Sequence, residues 1–173
     1  MNYASIKPCD VANGVGVRTS LFVSGCRHHC PECFNSEAWD FNYGDPFDEK
    51  ALNTLMEAIA PDYIDGLSLL GGEPLEKENI KPVLNIVKQV KANYPNKSIW
   101  CYTGFRFEDE LLKMTETNPD LKELMSLVDI LVEGRFVNEL KQLGLRFRGS
   151  ENQRILYCKE SFAAEKALLW EGQ

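Results

Sequence analysis

Apolar positions along the chain fall into two alternating patterns. Short apolar runs at residues 17–24 (VRTSLFVS), 66–70 (GLSLL), 97–102 (KSIWCY) and 128–132 (VDILV) read as strands, with 154–157 (RILY) as a possible fifth. Between them lie stretches whose apolar residues recur every three or four positions. In residues 48–60, Leu52, Leu55, Met56 and Ile59 share one face and Asp48 stands ready as a cap. In residues 79–94 the stripe is Val83, Leu84, Ile86, Val87 and Val90. Residues 107–114, 120–127 and 161–170 also read as helical, the last as a closing helix. Residues 34–47 are rich in turn formers, among them Asn35, Asn42, Gly44, Asp45 and Pro46.

Strands that alternate with helices predict βαβ units and a parallel sheet. Right-handed crossovers then put the helices outside. A complete eight-fold barrel needs about 250 residues, and this chain has 173. The expectation is an α/β fold: a partial, open β/α barrel of about five or six parallel strands with outer helices, in one domain over residues 1–173. In such folds functional groups collect where the strands end. The first strand runs into Gly25 and a cysteine-rich loop, the second into Gly71-Gly72-Glu73-Pro74, the third into Thr103-Gly104 and the fourth into Glu133-Gly134. All four ends are expected on one rim.

Composition narrows the class. Hydrophobic residues at 44% and charged residues at 26% suit a globular core. No run of about 18 apolar residues occurs, so no membrane span is expected. The start, MNYASIKPCDVANG, does not read as a signal peptide. A net charge of −7 argues against a nucleic-acid partner held by bulk positive charge. The basic residues from Arg135 to Lys159 are either a local patch or a solvated face mixed with Glu139 and Glu151. Six cysteines without a secretory signal suggest reduced thiols and a cytoplasmic setting rather than a disulfide framework.

Three of those cysteines crowd into one loop, Cys26-Arg27-His28-His29-Cys30-Pro31-Glu32-Cys33, a C-x3-C-x2-C spacing. Three soft thiolates this close can converge on one iron–sulfur cluster. A [4Fe–4S] cube held by three cysteines keeps one iron for an external ligand, which points to chemistry rather than simple electron transfer. The competing reading is a zinc module with His28 or His29 as fourth ligand. Usual structural zinc sites pair two ligand couples farther apart, and no second pair of that kind occurs here. Cys9, Cys101 and Cys158 read as buried or incidental thiols, and Trp39, Trp100 and Trp170 as packing residues.

The three-cysteine spacing followed by Gly71-Gly72-Glu73-Pro74 resembles the radical S-adenosylmethionine superfamily. The stretch LFVSGCRHHCPECFNSEAW (21–39), Tyr102-Thr103-Gly104, Glu133-Gly134-Arg135-Phe136 and RGSENQR (148–154) are similar to the activating proteins of anaerobic ribonucleoside-triphosphate reductases. The resemblance covers nearly the whole chain. It implies a [4Fe–4S] cluster on Cys26, Cys30 and Cys33, with S-adenosyl-L-methionine bound at the open iron. It implies reductive cleavage to methionine and a 5′-deoxyadenosyl radical, and removal of a hydrogen atom from a glycine of the reductase large subunit. An electron donor such as flavodoxin is implied as a second partner. The resemblance also implies cofactor contacts at Asn35, Gly71, Gly72, Thr103, Glu133 and Arg135, with Glu73 either meeting the cofactor's amino group or bracing its turn. One departure is Glu32, where many superfamily members carry an aromatic residue near the adenine. Another glycyl-radical enzyme as the target, or a non-catalytic zinc module, are the alternatives.

Overall fold

The computed structural model describes residues 1–172. Its centre is a seven-stranded sheet built from β1 (Asn2–Asp10), β2 (Arg18–Val23), β3 (Asp45–Pro46), β4 (Gly66–Gly71), β5 (Ser98–Thr103), β6 (Ile130–Glu133) and β7 (Arg154–Tyr157). The spatial order is β3-β1-β2-β4-β5-β6-β7, so the sheet has two free ends and stays open. The helices are α1 (Glu49–Ile59), α2 (Lys77–Asn93), α3 (Leu112–Thr117), α4 (Pro119–Leu127) and α5 (Cys158–Ala164).

The parallel run is shorter than the sequence suggests. Among the described residues, only β2, β4, β5 and β6 pair in parallel. β1, β3 and β7 pair antiparallel. The expectation of five or six parallel strands is therefore corrected to four. The reason lies after β6. A parallel neighbour needs a crossover that carries the chain back to the other end of the sheet. Residues 134–153 contain a short 3-10 turn (Asn138–Leu140) and an isolated bridge between Lys141 and Ser150, and run along the rim instead. β7 therefore starts at the rim and descends. The other correction at this end is the closing helix, which is Cys158–Ala164 rather than 161–170.

The sheet presents two different faces. Leu21, Val23, Leu67, Leu69, Ile99, Cys101, Leu131 and Leu156 pack with Leu55 and Ile59 of α1, the apolar stripe of α2, and Leu121, Leu124 and Met125 of α4. All the helix positions predicted from periodicity in residues 79–94 are buried here. Asp48 caps α1 by accepting the Ala51 N–H at 2.9 Å. Asn118 caps α4 through the Leu121 N–H at 3.0 Å, with Pro119 in the first turn. The side chains one residue out of phase, Ser20, Ser68, Leu70, Trp100, Tyr102, Ile130 and Val132, look the other way. On that face Trp100, Ile130, Val132 and Ile155 form a smaller cluster with Phe147 and Trp170.

Among the described residues, no helix is long and apolar enough to cross a membrane.

Candidate functional site

The loop that carries the cysteines leaves β2 at the rim. Ser24 N–H donates to Asn2 C=O, Gly25 N–H to Ala38 C=O and Cys26 N–H to Trp39 C=O, at 2.8–3.1 Å. Gly25 sits at φ +95°, and a Cβ there would meet the Phe41 ring, so the turn requires glycine. Cys26 is buried. Arg27 is tied to the start of α2: its N–H donates to Glu76 Oε1 at 2.8 Å and its guanidinium pairs with Glu76 and Glu78. His29 and Glu32 adopt left-handed backbone (φ +49° and +57°), which lets the loop fold back twice within four residues. Cys30 and Cys33 are half-buried beside the exposed Pro31, Glu32 and Phe34.

The sulfurs lie among backbone donors. The backbone N–H groups of His28 and His29 favour the Cys26 thiolate, and that of Phe136 favours the Cys30 thiolate. Burial is the larger influence, and it raises the Cys26 thiol to about 12 and moves Cys30 up as well. Both are thiols at neutral pH until a metal displaces the proton. Backbone N–H groups aimed at sulfur are the contacts that stabilise cluster thiolates.

The next strand end closes against this loop. Gly72 N–H donates to Val23 C=O at 2.7 Å and Glu73 N–H to Gly25 C=O at 2.8 Å. A Cβ on Gly71, which sits at φ +111°, would lie 2.6 Å from Val23 O, and one on Gly72 would lie 2.6 Å from Gly25 O. Both glycines are thus demanded by the chain's own backbone. Glu73 is 1% exposed. Its Oε1 accepts the Leu75 N–H at 2.9 Å, its Oε2 accepts the Gly104 N–H at 2.7 Å, and His28 Nε2 lies 2.8 Å from the same Oε2. Glu73 thus ties its own turn to the end of β5 and to the cysteine loop.

These elements enclose an open cavity of about 420 Å³, within the range of small-molecule sites. Cys26, Cys30, Cys33, Gly71, Gly72, Glu73 and Thr103 all line it. So do Phe34, Trp39, Leu70, Tyr102 and Phe136, which supply apolar wall. Phe34 is 86% exposed at the mouth rather than packed in a core. Thr103 is buried and its hydroxyl accepts the Phe105 N–H at 3.1 Å.

Three residues expected at the cofactor are not among the lining residues. Asn35 caps the 3-10 turn Ser36–Trp39 without a side-chain bond, and its buried Nδ2 has no partner among the described residues. Glu133 is 2% exposed and points to the helix-bearing face, where it accepts the Phe107 N–H at 3.1 Å and the Arg154 guanidinium. Arg135 makes two bonds to Glu110 at 2.7 and 3.0 Å. Glu133 and Arg135 do not pair with each other.

The segment 148–154 is a hydrogen-bonded brace on the far wall. Arg148 donates to Gln153 C=O at 2.6 Å, and Gln153 Oε1 accepts the Gly149 and Ser150 N–H groups at 2.8 and 3.1 Å. Gln153 Nε2 and Asn152 Nδ2 donate to Gly134 and Arg135 carbonyls at 3.0 and 2.8 Å. Arg135, Arg154 and Lys159, three of the six basic residues in the stretch, each sit on a carboxylate. A single π turn over Phe107–Leu111, unforeseen from sequence, carries the Glu108 and Glu110 partners.

Three cysteine sulfurs from one loop on the cavity wall are a donor set that fits an iron–sulfur cluster. Among the described residues, no three His, Cys, Asp or Glu side chains converge on one ion position. A cube takes each cysteine on a different iron, so its ligands need not converge. Of the two histidines, His28 is committed to Glu73, while the His29 ring lies against Trp39 at 4.5 Å between ring centroids.

Comparison with known proteins agrees. Residues 12–156 match the family described as a 4Fe–4S single cluster domain, so the fold and loop are those of an iron–sulfur protein. The chain is 39% identical over 161 residues to the anaerobic ribonucleoside-triphosphate reductase-activating protein of Escherichia coli K12, covering 92% of this chain and all of that one. The protein of the same name from enterobacteria phage T4 is 39% identical over 155 residues (90% and 93% of the two chains), and that from Vibrio cholerae 37% over 157 residues (90% and 97%). The chain belongs to the family of anaerobic ribonucleoside-triphosphate reductase-activating proteins.

Proposed function

We propose that this protein is a radical S-adenosylmethionine activase, an oxidoreductase that places a glycyl radical on the large subunit of anaerobic ribonucleoside-triphosphate reductase in the cytoplasm. The observation that supports this reading best is the position of three thiols from one short loop on the wall of a cavity that also receives the ends of β4 and β5. Cys26, Cys30 and Cys33 would hold three irons of a [4Fe–4S] cluster. Held there and reduced, such a cluster would supply one electron for cleavage of the sulfur–C5′ bond of bound S-adenosylmethionine, the chemistry that would yield methionine and a radical able to take hydrogen from the partner's glycine.

The chain's own part is to bind, orient and exclude water. Gly71 and Gly72 would offer backbone to the methionine end, with Thr103 beside them. Asn35 would turn its unpartnered amide toward the same ligand. Glu133 and Arg135 would act indirectly, by fixing the rim turn that bears Gly134. The apolar wall of Leu70, Phe136 and Trp39 would keep water from the reacting atoms. The open sheet would serve as a partial barrel, and the partner's glycine segment would close the mouth near Phe34. A donor such as reduced flavodoxin would deliver the electron.

The test is anaerobic. The purified chain is reconstituted with iron and sulfide, reduced, and given S-adenosylmethionine, and 5′-deoxyadenosine is assayed for wild type and Cys30→Ala. Product from wild type alone, followed by a glycyl radical signal on added reductase, is the expected result. A colourless zinc protein without product would overturn the reading.

A further inference from the structure

Glu73 is where three strand ends meet. Its carboxylate holds Leu75 N–H of its own turn, Gly104 N–H at the end of β5, and His28 from the cysteine loop. Its backbone adds Gly25 on one side and, through its carbonyl, the Asn79 amide at 2.9 Å, which also holds Ser24 C=O. Three donors at a 1% exposed carboxylate leave little room for a cofactor amino group to compete.

His28 is the loop's side-chain member of this junction. It stands two residues after Cys26 and two before Cys30, and its side chain is 7% exposed. The ring is held by shape as well as by its hydrogen bond. Phe105 packs edge-on at 4.5 Å, and the space the ring fills is the space a Cβ on Gly104 would take. The other tie on the loop, Arg27, is 56% exposed and faces α2.

We propose that His28 is a positioning residue: its bond to Glu73 sets the cysteine loop, and with it the cluster, at a fixed distance from the Gly71-Gly72 and Thr103-Gly104 strand ends. Glu73 is the post to which it is tied, not a cofactor contact. The consequence for cofactor binding rests on the function proposed above; the tie itself does not. Displacements of about an ångström at reacting groups cost orders of magnitude in rate, so a loop that carries the metal needs such a tie.

The test compares wild type with His28→Gln, which keeps an N–H donor of similar reach, and His28→Phe, which keeps bulk and loses the donor. Two readouts are taken on the full chain. The first is amide hydrogen exchange over residues 27–33 of the reconstituted protein, which needs no S-adenosylmethionine. His28→Phe is expected to exchange about tenfold faster, with His28→Gln near wild type. The second is the change that S-adenosylmethionine produces in the paramagnetic resonance spectrum of the reduced cluster, titrated for affinity. His28→Phe is expected to bind about tenfold to a hundredfold more weakly, the size of effect seen for residues that orient metal ligands. Unchanged exchange in His28→Phe, or no rescue by His28→Gln, would overturn the proposal. A wild type whose spectrum ignores S-adenosylmethionine would instead overturn the proposed function, and the exchange readout would still decide the role of His28. If His28→Phe fails to take up iron, His28→Gln against Gly104→Ala, which crowds the same ring, decides on the same two readouts.

Discussion

Glu133 and Arg154 stand opposite each other in the β6–β7 ladder, and the Arg154 guanidinium holds the Glu133 carboxylate on the helix-bearing face, away from the cavity. The same guanidinium also binds Glu108. Glu133 is nearly inaccessible to water, so it depends on that cation. Arg154→Ala is expected to cost about 2–4 kcal/mol of stability, because it strands a buried carboxylate. Urea unfolding measures this. Arg154→Ala combined with Glu133→Gln is expected to recover part of the loss, and a double mutant no better than the single would refute the explanation.

Asp129 ties the foot of β6 to two helices. It accepts Lys159 Nζ at 2.6 Å, Ile99 N–H at 2.8 Å and Lys91 Nζ at 2.9 Å. Burial pushes its carboxyl up, but the bonds to Lys159, Ile99 and Lys91 outweigh this and leave it below the ordinary 3.8. A depressed acid contributes stability fully above its unfolded value and loses it as pH falls through the folded value. Asp129→Asn is therefore expected to lower stability by about 1–2 kcal/mol at neutral pH, with the gap to wild type closing below about pH 4. Denaturation midpoints from pH 7 down to pH 3 would show it.

Arg18 is buried at 1% exposure on the helix-free face, at the end of the sheet opposite the cavity. Its donors go to Ser68 Oγ, Ser98 Oγ, and the carbonyls of Val15, Leu67 and Ser98, and among the described residues no carboxylate pairs with it. Burial lowers its pKa to about 10, which keeps it charged at neutral pH. Lysine has three donors and no planar fork. Arg18→Lys is expected to cost about 2–4 kcal/mol, read as a fall in Tm. A Tm within error of wild type would mean that water replaces the lost donors.

Gly72→Ala would press a methyl against the Gly25 and Ala38 carbonyls. Backbone at that distance has to move, at a cost of about 1–3 kcal/mol. The movement falls on the base of the cysteine loop, so reduced iron uptake on reconstitution is expected alongside the lower stability. Iron content per chain equal to wild type would show that the loop absorbs the change.

The strands of the parallel run were legible to within a residue or two, because each is an apolar run closed by glycine. β1 was not. Its sequence NYASIKPCD carries Lys7 and Pro8, and its burial is half and patchy, as suits a strand near the sheet edge. The closing helix was misplaced because its apolar residues are used differently: Leu169 bridges to Leu156, and Trp170 N–H donates to Ile155 C=O at 2.8 Å. A strand-like return and a helix both bury such residues, and periodicity over so short a span does not separate them.

The sequence by itself brought the three thiols together, since cysteines within one short loop are close in space however the rest folds. It also determined the rim, because parallel strands that end in glycine turns must end together. Only the tertiary structure decided which polar groups serve that rim. His28 meets Glu73 across 45 positions, and Arg154 withdraws Glu133 across 21. Such choices depend on which face a strand end presents and on where the chain re-enters the sheet. Packing of the whole core sets both, and no local pattern of residues encodes them.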